Sequence, residues 1–299
     1  MLFESIIITG TSCAGKSTIA KKLCELTTNN GIRFEQVKAV TTREKRADDS
    51  NYEYVNNEVF DKLLRDKKLL VESTYRDEKY GIKEAEYDKV VRKKSIPVLV
   101  ITPTAAVELL DKYQEKYMCI FLDAQDEMLI ERWIERSREE PNKKRKKEFC
   151  KQHEADRKYQ DKTHYIINNT DLSASISLIS LLWEYQHQGG ALSQKMITSM
   201  IDCGVLLRNA DPEMINGASY DLRLGDEYYY DGKIQKLSDE KPFLTIEPYD
   251  YAIVSCKETA WIPRDVIAKF GLTVGLFCQG VILSNGPQID PGFRGTLFC

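Results

Sequence analysis

No excess of one charge marks this chain. Its 43 lysines and arginines face 46 aspartates and glutamates, a formal net charge of −3. That balance gives no reason to expect a general polyanion-binding role, so nucleic acid is not an expected partner. Long apolar runs are missing too. The opening Met1-Leu2-Phe3-Glu4-Ser5 has no basic segment, and the apolar stretch after it ends before Gly10. Neither a signal peptide nor a membrane span is expected. None of the eight cysteines forms a CxxC pair, and no Cys/His group has zinc-finger spacing. A chain of 299 residues does not need disulfides for stability. Reduced thiols in a cytoplasmic protein are the expectation.

What is present suits a soluble globular protein: 42% hydrophobic and 30% charged residues. At about 100–200 residues per domain, two domains are expected. Ile6-Ile7-Ile8-Thr9, Val98-Leu99-Val100-Ile101 and Met118-Cys119-Ile120-Phe121-Leu122 read as buried strands, with Tyr165–Asn169 a further candidate. Residues 16–26, 105–116 and 172–185 have helical spacing, and the highly charged stretch 125–162 is helical in pattern. It contains the basic run Lys143-Lys144-Arg145-Lys146-Lys147. Alternation of this kind predicts an α/β fold with a parallel sheet. Gln186-His187-Gln188-Gly189-Gly190 interrupts the pattern and is the expected boundary between domains at 1–185 and 191–299. Residues 192–203 read as one more helix. From Ser219 the text changes to short strands, at 222–224, 228–230, 243–246 and 251–254, and predicts an all-β module.

Gly10-Thr11-Ser12-Cys13-Ala14-Gly15-Lys16-Ser17 fits G-x-x-x-x-G-K-[ST] in full, between a strand and a helix. The glycines let backbone N–H groups turn inward around phosphates, and the following helix presents unpaired donors and a positive dipole end. Lys16 would bring a point charge to the β and γ phosphates of ATP, and Ser17 a hydroxyl to Mg²⁺. Residues 10–18, through Thr18, form the expected nucleotide cradle.

Thr41-Thr42-Arg43-Glu44-Lys45-Arg46, then Asn51-Tyr52-Glu53-Tyr54, Leu70-Val71-Glu72 and Lys79-Tyr80-Gly81 resemble the acceptor-binding segments of guanylate kinase. The resemblance covers roughly residues 4–185 and implies a P-loop domain of the nucleoside-monophosphate-kinase type. It implies that Arg43 and Arg46 grip the acceptor phosphate, that Tyr52 and Tyr80 hydrogen-bond it, and that Glu72 faces the base of a monophosphate such as GMP or dGMP. Forked arginine donors suit a phosphate. Arg132, Arg136 and Arg138 resemble lid arginines that neutralise charge on the transferring group, with Arg145 and Arg157 as candidates for a later one; a solvated helix face is the competing reading. The family's aspartate pair is replaced by Val100 and Thr102, its small hydroxyl residue after Y-G by Ile82, and the serine ahead of T-T-R is displaced by Ala39-Val40.

Met214–Gly225, with Gly217-Ala218-Ser219-Tyr220-Asp221, resembles the opening motif of dCTP deaminases and dUTP pyrophosphatases, and Ile289-Asp290-Pro291-Gly292-Phe293-Arg294-Gly295 is similar to their I-D-P-G-F-x-G motif. Residues 196–207, Pro248 and Trp261-Ile262-Pro263 add to the likeness. It implies a jelly-roll module that binds a deoxypyrimidine nucleotide near Asp221, Thr273, Asp290 and Arg294, or assembles a homo-oligomer such as a trimer. The family's G-[RK]-S-S-x-x-R strand aligns with Gly271-Leu272-Thr273-Val274-Gly275-Leu276-Phe277, which has lost the basic residues. The family's proton-transfer glutamate falls one position past Cys299, and 296–299 reads as strand interior, so a longer protein is expected. The leading expectation is phosphoryl transfer from ATP to a nucleoside or deoxynucleoside monophosphate. The rivals are a nucleotide sensor with a P-loop switch and a deaminase or dUTP pyrophosphatase completed by further chain.

Overall fold

The computed structural model describes residues 3–45, 51–113, 115–137, 143–186, 189–238, 240, 242–284, 286 and 288–299. They separate into two units, Met1–Gly189 and Gly190–Cys299.

In the first unit the chain runs β1 (Ser5–Gly10), α1 (Lys16–Leu23), β2 (Phe34–Gln36), β3 (Ala39–Thr41), β4 (Tyr52–Tyr54), α2 (Asn57–Arg65), β5 (Leu69–Tyr75), β6 (Glu78–Lys83), α3 (Glu84–Arg92), β7 (Ile96–Val100), α4 (Pro103–Lys112), β8 (Tyr117–Asp123), α5 (Asp126–Ser137), α6 (Lys143–Arg157), β9 (Tyr165–Asn168) and α7 (Leu172–Tyr185). A five-stranded parallel sheet has the order β2-β7-β1-β8-β9. Helices cover such sheets on both faces, so their strands read as continuous apolar text. Ile6, Ile7 and Ile8 are all fully buried, each contributing about 1.5–3 kcal/mol of apolar transfer. Helix starts follow local chemistry. Asn56, Thr102 and Asp171 cap α2, α4 and α7 by accepting from Val59, Ala105 and Ala174 N–H groups, and Pro103 occupies the first turn of α4.

A second sheet, β4-β3-β6-β5, carries the acceptor-like segments. Here β3 pairs parallel with β4 and antiparallel with β6, so Ala39 lies opposite Tyr52 and Thr41 opposite Tyr80.

The second unit runs α8 (Gln194–Asp202), β10 (Leu207–Arg208), β11 (Ile215–Asn216), β12 (Ser219–Tyr220), β13 (Leu224–Tyr230), β14 (Lys233–Lys236), β15 (Ala252–Trp261), β16 (Ala268–Lys269), α9 (Val274–Cys278), β17 (Gln288–Ile289) and β18 (Arg294–Phe298). All its strand pairings are antiparallel, and β15 is the long central strand, joined to β13, β10 and β18. The all-β character expected after Ser219 is present, with three corrections of detail. Residues 222–223 precede the strand that starts at Leu224. Residues 243–246 form no strand; they lie between Pro242 and Pro248, and Phe243 is 78% exposed, with no strand pairing to it among the described residues. Residues 274–278 form a short helix where the aligned family motif led us to expect strand.

In the first unit α1 stops at Leu23 rather than residue 26, and the 125–162 stretch holds two helices, α5 and α6, in place of one helical run. The first turn of α6 holds a basic run and no acid, an arrangement the helix dipole disfavours.

Candidate active site

The loop from Gly10 to Gly15 joins the most buried strand to α1. Gly10 has φ 131°, and a Cβ there would lie 2.0 Å from the Leu122 carbonyl oxygen of β8. No side chain fits that approach, so glycine is a steric requirement at this position. Gly15, with φ 92°, stands just before α1, where a Cβ would meet the Asn169 amide nitrogen at 2.6 Å.

Two groups at the carboxyl ends of neighbouring strands hold the loop. Asn169, 2% exposed, donates through Nδ2 to the Ala14 carbonyl at 2.8 Å and accepts at Oδ1 from Ser175 Oγ at 2.9 Å. Its own N–H donates to the Asp123 carbonyl at 2.8 Å. Asp123 accepts at Oδ1 from Thr11 Oγ1 at 3.1 Å. That carboxylate is gripped in turn by Arg157, through Nε at 2.7 Å and Nη2 at 3.1 Å, and Arg157 also meets Asp126 at 2.8 Å. Forked arginine–carboxylate pairs fix orientation as well as charge.

Lys16 donates to the carbonyls of Gly10 at 2.9 Å and Thr11 at 2.6 Å. Its stem is partly exposed, but the ammonium is enclosed by its own loop. Burial pushes its pKa down to about 8, the nearby Asp156 carboxylate and Cys13 only partly opposing that, while Arg136 and Arg76 add to the fall. Asp156 is buried, accepts from Gln152 Nε2 at 2.9 Å, and has its own pKa raised, chiefly by burial. Ser17 and Thr18 are exposed on the first turn of α1.

The acceptor-like residues gather on the four-stranded sheet. Arg43, 9% exposed, follows β3; its N–H donates to Thr41 Oγ1 at 3.2 Å, Nη1 donates to the Glu44 carbonyl at 3.0 Å, and the guanidinium lies 5.3 Å from the centre of the Tyr52 ring. Tyr52, Tyr80 and Glu72 are half-buried on β4, β6 and β5. Ile82 and Val40 are fully buried, and Val100 is 9% exposed. Thr102 donates to Ser73 Oγ at 2.8 Å. On α5, Arg132 donates to the Asn169 carbonyl at 2.8 Å and Arg136 is exposed. Arg46 and Arg138 lie outside the described residues.

The second-unit candidates lie on four separate segments. Asp221 is exposed before β13, Thr273 precedes α9, Asp290 is exposed and accepts from Gln288 at 2.8 Å, and Arg294 in β18 lies 4.7 Å from the Trp261 ring. The Ser219–Gly225 motif serves a group that sequence reasoning passed over. Glu258, fully buried, accepts from Tyr220 Oη at 2.9 Å, Arg223 N–H at 3.0 Å and Arg223 Nε at 2.6 Å, and Arg223 also meets Asp211 at 3.1 Å.

The guanylate kinase family model matches residues 3–185. The chain belongs to the guanylate kinase family. In solved structures, guanylate kinase from Anaplasma phagocytophilum shares the fold, with a TM-score of 0.50 and 20% identity over 63% of this chain and 88% of that one. Among curated proteins, guanylate kinase from Mycoplasma mobile is 29% identical over 116 residues, 38% of this chain and 56% of that protein. dCTP deaminase from Thermococcus kodakarensis is 37% identical over 93 residues, 31% of this chain and 59% of that protein; the one from Pyrococcus abyssi is 31% identical over 93 residues, again 59% of its length. The chain thus spans under two thirds of the curated relatives it matches. These findings agree with both resemblances read from the sequence.

Asn169, Asp123 and Asp156 were missed as parts of the guanylate kinase-like site. A signal existed for the first two: they stand at the carboxyl ends of buried strands, where open α/β sheets hold their ligands. Asn169→Ala should lower folding stability by about 1–3 kcal/mol, the cost of stranding a buried carbonyl and hydroxyl. Urea denaturation measures it; a wild-type midpoint would contradict the role given to this amide.

Proposed function

We propose that the first unit transfers the γ-phosphoryl group of ATP to a nucleoside or deoxynucleoside monophosphate, GMP or dGMP being the first acceptors to try. The observation that carries the reading is the complete phosphate loop with its enclosed lysine, in a unit whose second sheet carries Arg43, Tyr52 and Tyr80. A phosphoryl transfer asks the protein for position and charge rather than covalent chemistry. Lys16 would leave the Gly10 and Thr11 carbonyls for the β and γ phosphates. Arg43 and Arg46 would orient the acceptor phosphate with Tyr52 and Tyr80, Glu72 would meet the base, and Arg132, Arg136 and Arg138 would neutralise the group in transit. Residues 10–18 would hold the triphosphate through backbone N–H groups.

Mg²⁺ fits the donors present. Among the described residues no cluster of three His, Cys, Asp or Glu side chains could hold a metal, but Mg²⁺ prefers few protein ligands, completing its octahedron with water and phosphate oxygens. The exposed Ser17 hydroxyl supplies one such ligand. When bound, the ion would spread negative charge away from the phosphates.

A sensor reading has one observation of its own. Val100 and Thr102 stand where the family carries aspartates; Val100 is packed in the core and Thr102 caps α4. The second unit would then bind a deoxypyrimidine nucleotide as a signal. In both readings the second unit is a nucleotide-binding or oligomer-forming module. Its described residues include Phe243, Val274, Phe277 and Ile282, each 70% or more exposed, apolar side chains that an assembly would cover. A cytoplasmic setting is part of the proposal; no described helix is long and apolar enough to cross a membrane.

Two assays separate the readings. ADP release from ATP·Mg²⁺ should rise when the matching monophosphate is added, and Lys16→Ala should lower that rate at least about 100-fold, the scale of losing one transition-state donor. If none of the common ribo- and deoxyribo-monophosphates stimulates turnover, the sensor reading replaces the kinase. This 299-residue chain should leave dCTP and dUTP unchanged, because the aligned basic positions hold Leu272 and Phe277 and each missing acid–base group forfeits about 10²–10⁴-fold. Chromatography showing dUTP from dCTP, or dUMP from dUTP, above a no-enzyme control would overturn that.

A further inference from the structure

The turn between β5 and β6 carries a cation that the kinase reading has not used. Tyr75 pairs with Glu78, so Arg76 and Asp77 alone make the turn, and both have positive φ, 51° and 65°. A two-residue turn of this kind usually takes Asn-Gly or Asp-Gly, since positive φ is strained for a long side chain. An arginine held in that strained backbone points to work done by its side chain.

The turn reaches helix α6. Tyr75 Oη donates to Asp156 Oδ2 at 3.2 Å, and the Arg76 guanidinium lies 5.5 Å from the centre of the Tyr75 ring and 5.7 Å from that of Phe149 on α6. Asp156 is 4% exposed, while Arg76 is exposed. Asp156 is also the strongest charged neighbour of Lys16, and Arg76 and Arg136 are felt there as opposing cations. Asp156 in turn feels both Lys16 and Arg76. Lys16 and Arg76 therefore share the neighbourhood of one buried carboxylate, with Arg136 a further cation beside Lys16, an arrangement that suits a polyanion arriving among them.

We propose that Arg76 is a further catalytic residue of the phosphoryl transfer: Tyr75, docked on Asp156, holds the β5–β6 turn so that the Arg76 guanidinium meets the phosphoryl group in transit. The inference rests on the kinase reading. In the step, an acceptor phosphate oxygen bonds to the γ-phosphorus as the bond from that phosphorus to the β–γ bridging oxygen breaks, and the electron pair departs with ADP. Arg76 gives up no proton. It supplies N–H donors and a fixed positive charge where negative charge grows on the transferred and leaving oxygens. Because the turn belongs to the acceptor sheet and Asp156 to α6, the cation is delivered when those two elements meet.

The test uses the full chain with ATP·Mg²⁺ and whichever monophosphate stimulates the wild type. Arg76→Ala should lower kcat about 100-fold with little change in the KM for ATP, and guanidinium ion added to the buffer should restore part of the rate. Arg76→Lys should fall between, since it keeps the charge and loses the fork. Asp77→Asn, which tolerates the same backbone, should behave as wild type. Wild-type kcat in Arg76→Ala overturns the proposal and leaves the kinase reading intact. Equal losses in Arg76→Ala and Asp77→Asn, without guanidinium rescue, assign the turn a structural role and also overturn it. No stimulation of the wild type by any monophosphate removes the kinase reading and this proposal together.

Discussion

The hydrogen bonds that Asn169 and Asp123 direct to the loop after β1 fix the backbone on which the rest of the site depends. One amide reaches the Ala14 carbonyl and one carboxylate reaches the Thr11 hydroxyl, at opposite ends of the loop. Both residues stand at the ends of strands β8 and β9, whose parallel pairing places them side by side. The constraint spreads outward from there. Arg157 ties Asp123 to α6, Arg132 ties Asn169 to α5, and Ser175 ties it to α7. The charged helices after β8 are thereby joined to the residues that hold the phosphate loop by polar contacts. Buried networks of this kind are costly when broken, because each orphaned group loses water without gaining a partner.

Charge organisation follows the same frame. Lys16 has two backbone carbonyls as immediate partners and one buried carboxylate, Asp156, nearby. Its ammonium is poorly solvated in that state, which is why its pKa falls. A triphosphate would supply the missing compensation, so the loop is tuned to gain more from a polyanion than a solvated lysine would.

Much of the first unit was legible in the sequence because its elements announce themselves locally. Three consecutive isoleucines, β-branched and bounded by a glycine, read as a strand covered on both faces, and the glycine spacing marks the loop after it. The helix expected at 172–185 forms with those bounds, whereas the one expected at 105–116 runs from Pro103 to Lys112, because Thr102 caps it and Pro103 opens it. What stayed hidden are contacts between residues far apart in the chain. Nothing near Asn169 in the sequence says that its amide meets Ala14, 155 positions earlier. Nor does the spacing of Tyr75 and Asp156 show that they touch. In the second unit, the motif from Ser219 to Gly225 was recognisable, but its use of Tyr220 and Arg223 to satisfy the buried Glu258 follows from the pairing of strands. The aromatic and branched residues at 243–246 read as strand by composition, yet no strand among the described residues pairs with them.

The account turns on Lys16 being enclosed and partly neutral until nucleotide arrives. With its pKa near 8 in the free loop and nearer the usual lysine value beside phosphate, ATP·Mg²⁺ binding at pH 8 should take up about half a proton per site. Uptake should shrink as pH falls below that value, where the lysine is already charged, and affinity should weaken as pH rises above it. Titration calorimetry in buffers of different ionisation enthalpy reads this directly. The account predicts proton uptake in the wild type that disappears in Lys16→Met; binding with no uptake, or uptake unchanged in that variant, would contradict it.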